Sequence, residues 1–470
     1  MDAPIAATTR DIAAAPVLDA PAKRALLWLV AFSFFMQMLD STIVNTATPS
    51  IAQSMGIAPL DLRTALTSYT LALAVFIPLS AWLADRRGTR EIFWWAILVF
   101  TLGSLACGLA QNLWMLVAAR IVQGFGGAMM MPVGRLALVR AFDKSEFVHA
   151  MSVATIPGLI GPAIGPLLGG FFAMYVSWRM IFFVNIPFGI VGLILARRAM
   201  PDYRGVRAPL DIAGFALFAL GAGGLSWALE QLSEAVYAQG FACGIAAIAA
   251  LALYWRRGTR VTAPIVDLRL LRIRSFRVAF NGGFATRLGV GGIYFLLTLL
   301  FQVGFGYSAI AAGLLQVPQA LAMLLMRFFV GPILKYQGYR RVLLCNTALA
   351  GVLVMAFATL SAATPVWLIC IQVFIYGFVM SLQYAAMNTL GFVDLTPAQA
   401  SMGASMSSTV QNLSMSFGVA FASLLMALSL GDAHDGAPYI AAFRVTTLIL
   451  GAVTVLSSLM FLRLPRREAS

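Results

Sequence analysis

Two charged side chains lie in apolar stretches of this sequence, where an ionised group is costly and usually faces a cavity or a partner. Asp40 is the one carboxylate well inside a predicted membrane helix, and Arg120 lies in the fourth such helix. At about 1.5 Å per residue, Asp40 lies roughly 22 Å from the boundary nearer the N-terminus, in a core about 30 Å thick. Arg120 lies roughly 10 Å from the opposite boundary, so the two share one depth.

Two glutamines accompany this pair. Gln37 and Gln123 lie three residues from Asp40 and Arg120, on the same helix faces. Burial favours a neutral carboxylic acid and a neighbouring arginine favours the carboxylate, so such a cluster could take up and release a proton as its hydration changes. The spacing therefore predicts a proton-binding site, and a purely structural ion pair between helices is the alternative.

Three further charged residues fall in or near predicted helices. Arg287 lies near mid-depth in the ninth helix, where a role in a substrate or proton pathway and a role in helix pairing are both open. Arg327 lies near a helix end, where its long side chain can reach the membrane surface. Glu230 lies at the end of the seventh helix and is interpreted as interfacial.

A short, densely charged loop separates the second and third predicted helices. Its candidate residues are Asp85, Arg86, Gly88 and Arg90. Gly88 permits a tight turn. Asp85 could cap a helix or pair with an arginine of a neighbouring helix in one conformation only, or the loop could simply carry charge that sets topology.

The fifth predicted helix is rich in glycine and proline. Gly161, Gly165 and Gly169 follow small-xxx-small spacing and are followed by Gly170. Such spacing lets another helix approach closely, and Pro162 and Pro166 can bend the helix. A moving interface and tight static packing both remain possible.

The composition is that of an integral membrane protein. Of 470 residues, 61% are hydrophobic and 11% are charged, too few charged groups to cover a water-facing surface of this size. The net charge of +14 comes from short basic clusters between long apolar runs, which argues against nucleic-acid binding. No Walker motif occurs, and the four cysteines and two histidines do not form a metal-binding pattern, so neither a cofactor nor a metal is expected.

Apolar runs long enough to cross a bilayer predict an all-α polytopic membrane protein with 14 transmembrane helices. The predicted spans are 25–48, 62–83, 92–110, 113–134, 150–174, 180–198, 211–230, 239–255, 277–303, 310–334, 342–361, 365–390, 403–428 and 440–462. Twelve spans are the alternative if 211–255 does not cross.

The basic residues predict which side of the membrane each connection faces. Most of the 32 lysines and arginines fall in the N-terminal tail, the even-numbered connections and the C-terminus. Arg63, Arg179 and Arg444 are the basic residues of the opposite side. Because cytoplasmic segments carry the excess of Lys and Arg, both termini are predicted to be cytoplasmic.

Five segments resemble a known family. They are Leu39–Pro49 in the first span, Leu83–Arg90 in the charged loop, Arg120–Ala128 in the fourth span, Gly161–Gly170 in the fifth and Trp178–Pro187 before the sixth. Each looks like a motif of the major facilitator superfamily, specifically of the fourteen-span drug:proton antiporters of the EmrB/QacA-like type. The chain is most similar to the branch that includes MdtD and HsrA.

The charged loop and its repeat in the second half both bear on this resemblance. Gly331–Arg340 weakly repeats Ala81–Arg90, which suggests two related halves. The family's loop motif begins with Gly where this chain has Ala81, and the second copy has Lys335 in place of the acid, so a charge lock on that side is altered.

The resemblance implies a major facilitator fold of two six-helix bundles plus two inserted helices. The expected organisation is a disordered tail (1–24), an N-terminal bundle (25–198), inserted helices (211–255), a basic linker (256–276), a C-terminal bundle (277–462) and a second tail (463–470).

It also implies a proton-coupled exporter, not an enzyme, that works by alternating access in the bacterial inner membrane, acts as a monomer and binds small molecules and protons. Asp40 and Arg120 would couple protons, and seven residues are candidates for the substrate cavity: Met36, Gln37, Gln123, Arg287, Gln302, Gln383 and Asn388. Amphiphilic or toxic substrates suit such a lining, and one specific metabolite, such as an amino acid, sugar or siderophore, is the alternative. Partners spanning the cell envelope are left open.

Overall fold

The computed structural model describes residues 18–205, 209–261, 264, 266–431 and 436–464. These residues form helices and connections, without a β-strand in the described ranges. Most of the predicted N-terminal tail (1–24) lies outside them, but the first helix begins at Ala20, before the predicted start at residue 25. Asp19 caps it, because its side chain accepts a hydrogen bond from the Ala22 backbone N–H at 3.0 Å.

The helices are numbered in chain order. In the first half and the insertion they are α1 (Ala20–Met55), α2 (Arg63–Arg87), α3 (Thr89–Leu109), α4 (Leu113–Ala141), α5 (Lys144–Tyr175), α6 (Met180–Phe183), α7 (Asn185–Ala199), α8 (Ile212–Ser233) and α9 (Tyr237–Gly258). In the second half they are α10 (Arg274–Val290), α11 (Ile293–Leu299), α12 (Ala309–Leu314), α13 (Val317–Met326), α14 (Val330–Ala356), α15 (Val366–Leu390), α16 (Pro397–Leu430) and α17 (Gly436–Ser458).

Thirteen helical segments among the described residues are long and apolar enough to cross a membrane. Several join consecutive helices, as Arg274–Gly304 joins α10 and α11. The predicted span 150–174 falls within α5, whose described apolar stretch, Ile160–Tyr175, is shorter. Large hydrophobic side chains cover the exterior, among them Ile245 and Leu220, which suits contact with lipid.

The helices pack as two groups with an inserted pair. In the first group α1 packs on α5, and α4 packs on both α2 and α3. In the second, α14 packs on α15 and α17, and α10 packs on α16 and α17. The inserted helices α8 and α9 pair with each other, and α8 also contacts α2 and α16, one helix of each group.

The two charged-loop copies of the sequence repeat share one backbone conformation. Gly88 has φ +97° and ψ 151°, and Gly338 in the second copy has φ +73° and ψ 158°. These values are accessible essentially to glycine only, so the repeat needs glycine at this position in both halves. Gly338 also interrupts α14, which separates the predicted spans 310–334 and 342–361.

The apolar core is divided unevenly between the two ends of the molecule. We call the end that carries Arg86, Arg140, Arg257, Arg340 and Arg463 the basic face. At the opposite face one continuous apolar cluster joins both bundles, with Ile43 and Phe301 among its buried members. Toward the basic face the described core separates into three clusters: one of the N-terminal bundle around Phe93, one of the C-terminal bundle around Leu343, and one around Phe276 that includes residues of α8 and α9. The bundles are therefore packed together at the opposite face.

The glycines of α5 lie against the backbone of α1. A side-chain carbon at Gly161 would collide with the Leu39 backbone nitrogen, and one at Gly169 would collide with the Ile43 carbonyl oxygen. Thr46 of α1 donates a hydrogen bond from its hydroxyl to the Pro166 carbonyl oxygen at 3.1 Å. The glycine spacing thus allows the close approach that positions α1.

We expect Gly169→Ala to lower the stability of the folded protein by about 1–3 kcal/mol, because its methyl group has no room beside α1. Gly223→Ala is the matched control, since a side-chain carbon there meets no atom within 4 Å. The measurement is the midpoint of thermal unfolding of the purified protein in detergent. Equal midpoints for the two variants would contradict this account of the packing.

Candidate functional site

Asp40 lies in the middle of α1 and is fully buried. Its carboxylate accepts three hydrogen bonds, from Arg120 Nη1 at 2.7 Å, Gln123 Nε2 at 2.8 Å and Asn185 Nδ2 at 2.9 Å. Three helices, α1, α4 and α7, therefore meet at one carboxylate. Asp40 and Arg120, which the sequence places at one depth, form an ion pair, and both side chains are shielded from solvent.

A second group of contacts orients these donors. Ser104 of α3 accepts hydrogen bonds from Gln123 Nε2 at 3.1 Å and from Asn185 Nδ2 at 2.9 Å. The Ser104 hydroxyl donates in turn to the Phe182 carbonyl oxygen at 3.0 Å. Arg120 also donates to Gln123 Oε1 at 2.8 Å, one helical turn along α4. The network fixes the amide groups so that both point donors at Asp40.

Aromatic rings enclose the guanidinium group. Arg120 lies over the Tyr69 ring at 4.0 Å from its centroid and near the Phe182 ring at 5.8 Å. Cation–π contact and the carboxylate together compensate a charge whose burial would otherwise cost several kcal/mol. The cluster carries no net charge when Asp40 is ionised.

Asn185 and Ser104 were not among the site residues proposed from the sequence. Asn185 lies in the Trp178–Pro187 segment, which was recognised as a motif without a role for its asparagine. Ser104 is one small polar residue in an apolar helix, where a hydroxyl usually bonds to its own backbone. Only the crossing of α3 and α7 beside α1 reveals that both belong to the site.

The seven candidate cavity residues do not come together. Gln123 belongs to the Asp40 cluster, whereas Gln37 is buried beside it with Oε1 lacking a hydrogen-bond partner in the described part of the chain. Met36 lies in the apolar core of the N-terminal bundle. Gln302 donates to the Thr46 carbonyl oxygen at 3.0 Å and so joins the two bundles at the opposite face.

The remaining candidates lie in the C-terminal bundle. Gln383 is fully buried and accepts a hydrogen bond from Asn346 Nδ2 at 2.9 Å, which makes it a core contact between α14 and α15. The cavity role predicted for Met36 and Gln383 is therefore not supported by this geometry, because both point into bundle interiors. Arg287 and Asn388 line one cleft on the side facing the basic end.

The charged loop ties α2 and α3 to the rest of the N-terminal bundle. Asp85 accepts a hydrogen bond from Arg140 Nη2 of α4 at 3.1 Å. Arg90 Nε donates to the Met200 carbonyl oxygen at 2.6 Å, and the Thr89 backbone N–H donates to the Tyr203 carbonyl oxygen at 3.0 Å. The loop thus anchors the segment that follows α7.

The other loop residues have separate surroundings. Arg86 lies over the Trp82 ring at 5.2 Å. Gly88 faces the Asp202 side chain so closely that a side-chain carbon would collide with it. Burial raises the pKa of the nearby Tyr203 phenol, so this group stays protonated at neutral pH. In the second copy Lys335 is exposed at the position of Asp85.

Within the described ranges no three His, Cys, Asp or Glu side chains lie close enough to hold a metal ion. The His434 position and the His149 side chain fall outside what the structure describes. The site described above is a hydrogen-bonded ion pair.

Two bundles of apolar helices packed together at one end, with a buried acid–arginine pair inside the N-terminal bundle, have the architecture of a membrane transporter. The family model described as Major Facilitator Superfamily matches residues 30–419 and again residues 279–470. The chain belongs to the Major Facilitator Superfamily, and the predicted fold class is confirmed.

Related sequences cover nearly the whole chain. A protein called multidrug resistance protein MdtD from Serratia proteamaculans is 40% identical over 446 residues, which is 93% of this chain and 93% of that protein. The protein of the same name from Klebsiella pneumoniae is 41% identical over 453 residues, 95% of this chain and 96% of that one. The similarity to MdtD expected from the sequence motifs is confirmed.

Solved structures of low sequence identity share the fold. The human organic anion transporter MFSD10 superposes with a TM-score of 0.64 at 13% identity, covering 93% of this chain and 99% of that one. An auto-inhibited peptide transporter of the POT family superposes with a TM-score of 0.67 at 18% identity, covering 92% and 96%. These likenesses define the architecture.

We expect Arg120→Met to destabilise the protein by about 3–5 kcal/mol, because it leaves a buried carboxylate without its cation. Combining it with Asp40→Asn should restore part of that loss, since the buried negative charge is then removed as well. Thermal unfolding midpoints in detergent measure both effects.

Arg140→Met provides the control, because it breaks the half-exposed pair with Asp85, which is worth about 0–1 kcal/mol. Burial of the pair would not govern stability here if the two arginine variants lost equal stability. The same would follow if the double variant were less stable than Arg120→Met.

Proposed function

We propose that this transporter is a proton-coupled antiporter that exports small amphiphilic compounds across the bacterial cytoplasmic membrane. The observation that carries the proposal is the fully buried Asp40 carboxylate bound by Arg120 at 2.7 Å. A transporter that uses a proton gradient needs a group whose charge changes within the membrane, and a buried acid beside a cation meets that need.

The balance of forces at Asp40 can be reversed by a modest change around it. Arg120, Gln123 and Asn185 favour the carboxylate, whereas exclusion of water favours the neutral acid. A movement that draws Arg120 or an amide donor away would therefore promote proton uptake. Restoring those donors would promote release, so the proton and the conformation are coupled in both directions.

The bundle packing indicates which conformation the structure shows. Inter-bundle contacts at the opposite face include Gln302 Nε2 to the Thr46 carbonyl oxygen at 3.0 Å and Ser416 Oγ to the Thr67 carbonyl oxygen at 3.1 Å. If the basic face is cytoplasmic, as the positive-inside rule predicts, this is an inward-facing state that receives substrate from the cell interior. Alternating access would separate these contacts and close the basic face.

The names of the related proteins support the proposal that this transporter moves toxic compounds out of the cell. Both MdtD proteins carry the words multidrug resistance in their names and align over more than nine-tenths of this chain. Met36 and Gln383 lie in bundle cores in this conformation, so we assign substrate contact first to Asn388 and Arg287, which line the cleft facing the basic end.

We expect Asp40→Asn to abolish proton-coupled efflux, because a side-chain amide does not take up or release a proton near neutral pH. Uptake of amphiphilic fluorophores of different charge into inverted vesicles, with simultaneous recording of lumenal pH, measures this, because export from the cell corresponds to uptake into an inverted vesicle. Glu234→Gln is the control, since this carboxylate is exposed beyond the end of α8 and its neutralisation should leave the flux unchanged. Full retention of proton-coupled flux in Asp40→Asn would reject the assignment.

A bulky residue at Gly313 should favour the alternate conformation. A side-chain carbon there would collide with the Pro166 carbonyl oxygen of the other bundle, so Gly313→Leu should force the opposite face apart. If closure of the basic face follows, a cysteine at Asn388 should react several-fold more slowly with a polar thiol reagent than it does with Gly313 intact.

Gly351→Leu is the matched control, because Gly351 contacts Gly451 and Val455 within the same bundle. Labelling at Asn388→Cys should not slow in that variant. An unchanged or faster rate with Gly313→Leu would contradict the proposed rocking of the two bundles.

A further inference from the structure

Arg287 is a buried cation without a counter-charge among the residues that the structure describes. It lies in the last turn of α10, and only 4% of its surface is exposed. Its guanidinium group faces the Tyr384 ring at 5.2 Å from the centroid. Among the described residues it forms no ion pair, and its Nε has no hydrogen-bond acceptor. It therefore differs from Arg120, which has Asp40.

The sequence of the C-terminal bundle supplies no carboxylate within a predicted span to pair with Arg287. Beyond the linker, the acidic residues before the C-terminal tail are Asp394, Asp432 and Asp435, all in connections and none in a predicted span. A charge buried away from water needs compensation from a protein group or a bound ligand of opposite charge. Among the described residues of the C-terminal bundle, Arg287 is thus a buried positive charge without a carboxylate partner.

The guanidinium group is directed into the cleft facing the basic end. Its Nη1 lies 2.9 Å from the position that a side-chain carbon at Gly283 would take, so the side chain runs back along α10 toward the cleft. Gly283 supplies the room for it. Phe276 and Phe280 of the same helix line the cleft beside it.

Two further helices complete the cleft. Met387 and Asn388 come from α15, and Ser407 and Val410 come from α16. Asn388 is exposed, so the cleft is reached from solvent in this conformation. One cation, an amide and a hydroxyl lie among aromatic and aliphatic side chains. This combination matches a ligand that has one anionic group on an apolar body.

We infer that Arg287 binds the anionic group of the substrate, so that the preferred substrates are small organic anions with an apolar or aromatic part. This inference rests on the proposed transport function and names its substrate class. Cationic amphiphiles would meet like charge at Arg287, and neutral ones would leave the guanidinium group unsatisfied.

The test uses three probes with one fluorophore and different charges. They are dansylglycine, which is anionic, dansylglycinamide, which is neutral, and dansylcadaverine, which is cationic. Binding to the purified full chain in detergent is followed by fluorescence anisotropy at fixed pH without a proton gradient. The native protein should bind dansylglycine about tenfold or more tighter than either other probe, as expected for a charge-assisted hydrogen bond.

Substitutions then assign the preference to one side chain. Arg287→Gln should remove the charge preference, and Arg287→Lys should retain part of it because the charge remains. Arg327→Gln, which removes an exposed arginine of the same bundle, should leave the preference intact. Asp40→Asn should also keep it, so loss of proton coupling and loss of anion recognition are separable.

Two results would overturn the inference. One is native protein that lacks saturable dansylglycine binding or binds the neutral probe equally well. The other is an undiminished preference in Arg287→Gln. Because the native probe series decides the first outcome, the inference stays testable even if Arg287→Gln fails to fold.

Discussion

A carboxylate excluded from water is tolerable only when its charge is balanced, and this requirement organises the N-terminal bundle. Asp40 draws donors from α4 and α7, and Ser104 of α3 holds two of those donors in place. Each donor must arrive at the correct depth, so the helices cannot slide past one another without breaking the set. The contacts that hold the helices of this bundle together therefore depend on the charge of the Asp40 carboxylate.

Close helix approach is the second condition for this arrangement. The glycines of α5 bring α5 into contact with the backbone of α1 at residues that flank Asp40. This contact positions α1 so that the Asp40 side chain reaches α4. Larger side chains there would displace α1 and lengthen the 2.7 Å contact to Arg120. The glycine-rich helix and the ion pair thus act together, although they lie in different parts of the sequence.

The two bundles differ in how they handle buried charge. In the N-terminal bundle Arg120 pairs internally with Asp40, whereas Arg287 in the C-terminal bundle faces a cleft. An ion pair without net charge suits a site that gains and loses a proton. A cation without a counter-charge suits a site that binds an anionic ligand. The two halves thus differ at their buried arginines, although they share a backbone repeat at Gly88 and Gly338.

The sequence by itself determined the helical membrane architecture and the shared depth of Asp40 and Arg120, because hydropathy and helix rise act along one dimension. Its motifs, by resemblance, indicated the family. It did not reveal Asn185 and Ser104 as partners of Asp40, and it grouped Met36 and Gln383 with residues of a different environment. Which face of a helix meets a neighbour depends on helix rotation and crossing, which are set by packing between distant segments. Only the tertiary structure therefore decided which polar residues share a site and that Arg287 lacks a counter-charge among the residues described.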